Sequence, residues 1–170
     1  MLNIYDLINS VSEEYISELT LSEDSEINFD CRNACYIIKS GELLSLIRVP
    51  MPPERASDAY LRFIPRTEMD IAVAGAAVSL ALDDQDVCVS ARVSIGAVAP
   101  TALLVESAAE CLIGTKLDDL ALEKAARAAS DASSPITDRR GTAEYRRHVV
   151  GVLVKRASII AKQRVLGEKL

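Results

Sequence analysis

The chain carries one histidine, His148, and four cysteines, Cys31, Cys35, Cys88 and Cys111. Nucleophilic catalysis needs a Ser or Cys within reach of a base, and His148 lies among arginines with neither at useful helical spacing. A metal centre needs grouped Cys and His ligands, but the cysteines form no CxxC pair, and Cys31 and Cys35 have no companion ligand nearby. No catalytic residue and no metal ligand is therefore nominated. What remains with chemical character is paired charge, in two stretches. Arg66-Thr67-Glu68-Met69-Asp70 is a charged corner running straight into the small apolar segment 71–80. Residues 138–147 set Arg139, Arg140, Arg146 and Arg147 around Asp138 and Glu144. The second stretch reads as a capping and ion-pair cluster at the start of the last helix, with Thr142 as N-cap ahead of Tyr145. Docking against a partner subunit is the alternative use of those charges.

The elements that must position these charges follow from periodicity. Residues 2–19 place apolar side chains at Leu2, Ile4, Tyr5, Ile8, Val11, Tyr15 and Leu19, close to helical spacing, with an acidic outer face. Residues 20–33 are a polar, acidic arm, and Tyr36, Ile37 and Ile38 make a short strand broken at Ser40-Gly41. Residues 42–49 are compact and β-compatible, and Pro50, Pro52 and Pro53 then impose an extended connector. Residues 60–65 alternate as a strand ending at Pro65. The acidic turn Asp83-Asp84-Gln85-Asp86 is followed by strict alternation from Val87, so residues 70–82 and 87–98 are expected to form a long β-hairpin. After Pro100 the period becomes helical. Leu104, Ala108, Cys111 and Leu112 share one face, with Gly114 as the stop. Asp118 caps a second helix with a stripe of Leu122, Ala125, Ala126 and Ala129, and Ser133-Ser134-Pro135 ends it. A third helix runs from about Thr142, with Val150, Leu153, Val154, Ala157, Ile160 and Ala161 inward and its basic residues mostly outward. The expected fold is α+β: an antiparallel β-sheet followed by three helices packed on one face, plus the N-terminal helix. The expected domains are an acidic helix and arm over residues 1–40 and the sheet-and-helix domain over 41–170.

Composition bounds the function. At 170 residues the chain can bury one substantial core, with 49% hydrophobic and 26% charged residues. Aromatics are 4% and Trp is absent, which disfavours stacking on bases, and the formal charge of -6 disfavours nucleic acid as a partner. The charge is uneven. Residues 1–30 hold eight acids and no Lys or Arg, whereas residues 139–170 are strongly basic. These two regions can meet within one molecule or between two. No basic leader precedes an apolar segment and no apolar run is long enough to span a bilayer, so a reducing cytoplasm and no membrane are expected. Cys88 and Cys111 fall in apolar segments and are expected to be buried thiols.

Several blocks in order carry a resemblance. They are Gly41-Glu42-Leu43-Leu44, Ile47-Arg48-Val49-Pro50, the corner 66–72, residues 91–101, and residues 138–147. With these, residues from about 41 to 161 resemble the C-terminal domain of the FAD-binding medium subunit of carbon monoxide dehydrogenase and related xanthine-dehydrogenase-type molybdenum hydroxylases. The resemblance implies a sheet-plus-three-helix domain in a subunit that carries electrons between iron–sulfur centres and FAD. It also implies partners: iron–sulfur and molybdenum-binding subunits, or a separate FAD-binding domain. By position, Arg62 resembles a basic residue beside the flavin on the strand before the Asp-Ile-Ala corner, with Arg standing where Lys is usual. The loop from Phe63 to Ala72 is then the segment controlling access to the flavin, and its Arg66 is with Arg62 a candidate for the flavin edge. A fixed cation there would favour the reduced anionic flavin. In that family, glycine-rich loops of two preceding subdomains cradle the diphosphate, and this sequence has no such loop. The expected role is an accessory domain of an oxidoreductase subunit, not catalytic and not holding FAD by itself. The alternative is a free-standing dimerisation or interaction module, a homodimer that keeps the fold without the redox role.

Overall fold

A computed structural model describes residues 18–21, 44–48, 52–66 and 70–168. The chain divides into two units, 1–51 and 52–170. In the first, β1 (Glu18–Leu21) pairs antiparallel with β2 (Leu44–Arg48), with Glu18 opposite Arg48 and an irregularity between Thr20 and Leu21. This corrects the end of the expected N-terminal helix, because Glu18 and Leu19 are strand. The local alternation Glu-Leu-Thr-Leu matches a pleated ribbon once a partner strand is available, and pairing overrides the helical spacing that precedes it. The rest of that helix (residues 2–17), most of the arm, the short strand at 36–38, Cys31 and Cys35 lie outside the described residues.

In the second unit, β3 (Ala56–Phe63), β4 (Ala74–Leu82), β5 (Cys88–Gly96) and β6 (Leu103–Leu104) form an antiparallel sheet in that order. The hairpin expected from the acidic turn is present. Its register sets Val78 opposite Val93 and Ala76 opposite Ile95, and Ala59 lies opposite Val78 on the other side. Period-2 alternation therefore puts Ala74, Ala76, Val78, Leu80, Leu82, Ala91, Val93 and Ile95 on one buried face. At the turn, Asp83 Oδ1 accepts from the amides of Gln85 and Val87, each at 2.9 Å, and Asp86 takes φ 61°.

Three helices cover that face: α1 (Glu106–Glu110), α2 (Asp119–Ala132) and α3 (Ala143–Leu166). Leu104, expected on the face of the first helix, belongs to β6 instead. Its backbone pairs with Ser94, Val105 donates to the Val93 carbonyl at 2.8 Å, and α1 begins only after this ladder ends. Asp118 Oδ1 accepts the Ala121 amide at 2.9 Å and caps α2. The expected stripe is buried as Ala121, Leu122, Ala125, Ala126 and Ala129. On α3, Val150, Leu153, Val154, Ala157 and Ala161 face inward. The two helices approach so closely at Gly151 that a Cβ there would lie 2.6 Å from Ser130 Oγ and 3.0 Å from the Ala126 carbonyl. Small residues bring backbones together, and each Val or Leu they enclose contributes about 1.5–3 kcal/mol.

Candidate functional site

The charged corner is anchored by backbone geometry. Pro65 follows the end of β3, and the chain returns to start β4, with the Val73 amide donating to the Phe63 carbonyl at 2.9 Å. Arg62 is exposed on β3, an edge strand of the sheet, and its guanidinium donates to the Asp70 carbonyl. Arg66, with its side chain 75% exposed, donates from Nε to Asp70 Oδ2 at 3.2 Å. Asp70 Oδ1 accepts the Ile71 amide at 2.8 Å. A single aspartate thus holds both sequence-nominated arginines, one by its side chain and one by its backbone.

The second charged stretch meets the first. Asp138 and Gly141 exchange backbone hydrogen bonds across a tight turn, at 3.1 and 3.3 Å, immediately before the α3 cap. Thr142 Oγ1 accepts the Tyr145 amide at 3.1 Å, as the cap reading expects. Arg140 donates to Asp138 at 3.2 Å and lies 3.8 Å from Asp70. Arg146 is only 4% exposed, donates to the Val73 carbonyl at 2.9 Å and pairs with Asp138 at 2.6 Å. It is thus an inward-turned exception among the helix's basic residues, expected mostly outward, and its pairing with Asp138 fits the ion-pair reading of this cluster. A guanidinium leaves water only where carboxylate and carbonyl partners replace its hydration. Among the described residues, its Nε is buried without a partner. Phe63 and Tyr145 add an edge-on ring contact, centroids 6.4 Å apart and planes at 70°. Tyr145 also lies over Gly141, where a Cβ would come within 3.0 Å of its ring.

The electrostatics follow this geometry. Hydrogen bonding from Arg66, then from the Ile71 amide, holds the Asp70 carboxyl below its usual range against a partial burial that opposes it, and the Arg140 charge adds to the effect. The Arg140 amide, then the Arg146 guanidinium, do the same for Asp138. Both carboxylates are fixed anions, so neither serves as a proton-transfer group near neutral pH. His148 is exposed on α3. Cys88 is buried, and burial pushes its thiol up, away from nucleophilic use, whereas Cys111 is half-buried. Glu144 lies in the first turn of α3, where a negative charge suits the helix end. No group of three or more His, Cys, Asp or Glu among the described residues could hold a metal ion, and no helix there is long and apolar enough to cross a membrane.

Sequence reasoning found Arg62, Arg66 and the 138–147 cluster, but not that Asp70, Arg140, Asp138 and Arg146 form one connected set. The available signal was the surplus of arginine over acid in residues 138–147, which leaves cations seeking a partner elsewhere.

Comparisons with known proteins agree with this architecture. Residues 59–160 match the CO dehydrogenase flavoprotein C-terminal domain family. The carbon monoxide dehydrogenase medium chain of Afipia carboxidovorans is 42% identical over 127 residues, which cover 75% of this chain and 43% of that protein. The 6-hydroxypseudooxynicotine dehydrogenase complex subunit alpha of Paenarthrobacter nicotinovorans is 32% identical over 160 residues, 92% of this chain and 54% of that one. The chain therefore spans about half the length of these relatives. A solved structure of reconstituted CO dehydrogenase from Oligotropha carboxidovorans superposes with a TM-score of 0.68 at 42% identity, covering 75% of this chain and 44% of the other. Fold and sequence together place this chain in the CO dehydrogenase flavoprotein C-terminal domain family.

Proposed function

We propose that this chain is the C-terminal-domain portion of an FAD-binding medium subunit of a molybdenum-hydroxylase-type oxidoreductase, and that its corner supplies cationic residues to the edge of a flavin held elsewhere. The observation that carries this is the pair of exposed guanidinium groups, Arg62 and Arg66, both tethered to Asp70. The fit to FAD is partial. Two fixed donors suit an electron-rich ring edge, but the seven glycines are scattered, with no Gly-Gly or Gly-x-Gly pair to bare backbone amides to a diphosphate. The cradle for the nucleotide therefore belongs to another part of the subunit. When bound, FAD supplies the redox chemistry. This chain's residues orient its edge, place positive charge beside it, and leave proton transfer to other groups. Its partners in that reading are the FAD-binding portion and the iron–sulfur and molybdenum-binding subunits, with electrons passing between iron–sulfur centres and FAD.

Titration of FAD into the purified chain tests the cradle: flavin fluorescence stays unquenched, and stoichiometric tight binding by the chain alone overturns this part. Recombining the chain with the FAD-bearing remainder of a medium subunit tests the edge. There, Arg62→Ala weakens flavin retention by about tenfold, the worth of one hydrogen bond to a charged donor. Unchanged affinity and midpoint potential in that variant would remove Arg62 from the site.

A further inference from the structure

Arg62 and Arg66 are the residues assigned to the flavin edge, yet neither is packed. Arg62 projects from an edge strand, and Arg66 lies beyond the strand's end, three-quarters exposed. Long charged side chains in solvent lose rotamer entropy when held, so something must fix them if the edge is to be preorganised. The local answer is Asp70, which binds both. Asp70, however, lies in irregular backbone before β4, and its orientation needs a reason in turn.

We propose that Arg140 and Arg146, from the turn and first helical residues more than seventy positions away, are positioning residues for the Arg62–Arg66 pair. The connections form a closed circuit. Arg140 lies between Asp70 and Asp138, 3.8 Å from the first and 3.2 Å from the second. Asp138 receives Arg146 at 2.6 Å, and Arg146 reaches back to the Val73 carbonyl at 2.9 Å. The corner is therefore gripped at two points three residues apart, Asp70 through a carboxylate and Val73 through backbone. Two points fix an orientation where one would fix only a position. Helix α3, docked on β3 and β4 by its apolar stripe and held rigid by its length, is the frame from which that grip acts. The edge-on Phe63–Tyr145 contact ties the same helical turn to the end of β3, one residue from Arg62. Alternating charge suits this task. Each carboxylate is shared by two guanidinium groups, so moving any member leaves another partly unpaired.

This inference rests on the flavin-edge reading, but its first test does not need flavin. In the full chain, Arg140→Gln removes the link between Asp70 and Asp138 at a turn position only partly buried, and the melting temperature stays within error of the parent. Hydrogen exchange at the Ile71 amide, which donates to Asp70 Oδ1 at 2.8 Å, rises about tenfold, while the β4–β5 amides keep their protection. Phenylglyoxal modification of Arg62 and Arg66, read by mass spectrometry, accelerates in the same variant. Arg140→Lys, which restores the charge but not the fork, returns both readouts to within about threefold of the parent. Unchanged exchange and modification in Arg140→Gln overturn the positioning role. In the flavin-loaded recombined subunit, Arg140→Gln weakens flavin retention in the same direction as Arg62→Ala. If exchange and modification respond while Arg62→Ala and Arg66→Ala leave the flavin untouched, the circuit stands and the flavin-edge reading falls.

Discussion

The β4–β5 hairpin is closed at each end by arginine on aspartate, and the two closures are built differently. At the turn end, Arg55 donates to the Asp83 carbonyl at 3.0 Å and pairs with Asp86 at 2.5 Å, with side chains 37% and 48% exposed. At the corner end, Arg146 is almost fully buried, and the Asp70 side chain is only 9% exposed. A capped helix begins at each end as well. The Cys88 amide donates to the Thr115 carbonyl, which brings the loop before α2 to the turn end, and α3 begins at the corner end. The turn-end pair joins segments that the β3–β4 ladder already holds in register, and water screens it. The corner-end set joins the loop before β4 to the 138–141 turn and the start of α3, segments far apart in sequence, beside the Phe63–Tyr145 contact. Identical residue types thus punctuate a turn at one end and determine tertiary geometry at the other, and burial makes the difference.

The largest expected break of this contrast is Arg146→Met. It removes one of the two arginines on Asp138 and the side-chain donor to the Val73 carbonyl in a part-buried setting, and lowers unfolding free energy by about 3 kcal/mol, measured by urea denaturation. The caps come next and are expected to be equal, since each satisfies one helix-end amide. Thr142→Ala and Asp118→Ala each lose about 1 kcal/mol. A much larger loss for Thr142 would show that the cap and the ion-pair circuit are coupled, sharpening the distinction between the ends.

Acid separates the ends by a different route. Asp70 and Asp138 titrate below their ordinary range in the fold, so their contribution is whole above the unfolded carboxylate value of about 4 and is lost as pH falls through the folded values. Asp70→Asn is therefore less stable than the parent at neutral pH, and the gap narrows below about pH 4 as the parent's own carboxylates protonate. A gap that stays constant to pH 2 would disprove the assignment. The smallest effect belongs to Arg55→Ala, within about 0.5 kcal/mol of the parent, as an exposed pair warrants. A loss comparable to Arg146→Met would erase the contrast altogether.

How far the sequence could be read depends on which interactions are periodic. The hairpin was legible because Val87, Val89, Ala91 and Val93 alternate after an acidic turn, and side chains on a strand can do little else. The α2 and α3 stripes and both caps were legible because a 3.6-residue period and an N-cap aspartate or threonine are local signals. Leu104 was misplaced because its helical spacing to Ala108 exists on paper, while the unpaired edge of β5 captured the backbone first. Leu19 was misplaced for the same reason, its partner strand lying more than twenty residues further on.

The site divides in the same way. Residue order alone put Arg66 and Asp70 in one charged corner, whereas the return of the chain from β3 to β4 brings Arg62 to the Asp70 carbonyl. Residue order also determined that residues 138–147 hold an arginine surplus at a helix start. Only the folded chain decided that these two stretches meet, that Arg146 is the member withdrawn from water, and that Asp70 faces Arg140. Periodicity reports which face of an element is apolar. The pairing of charges across seventy residues depends on how the helices dock, and no local rule carries that distance.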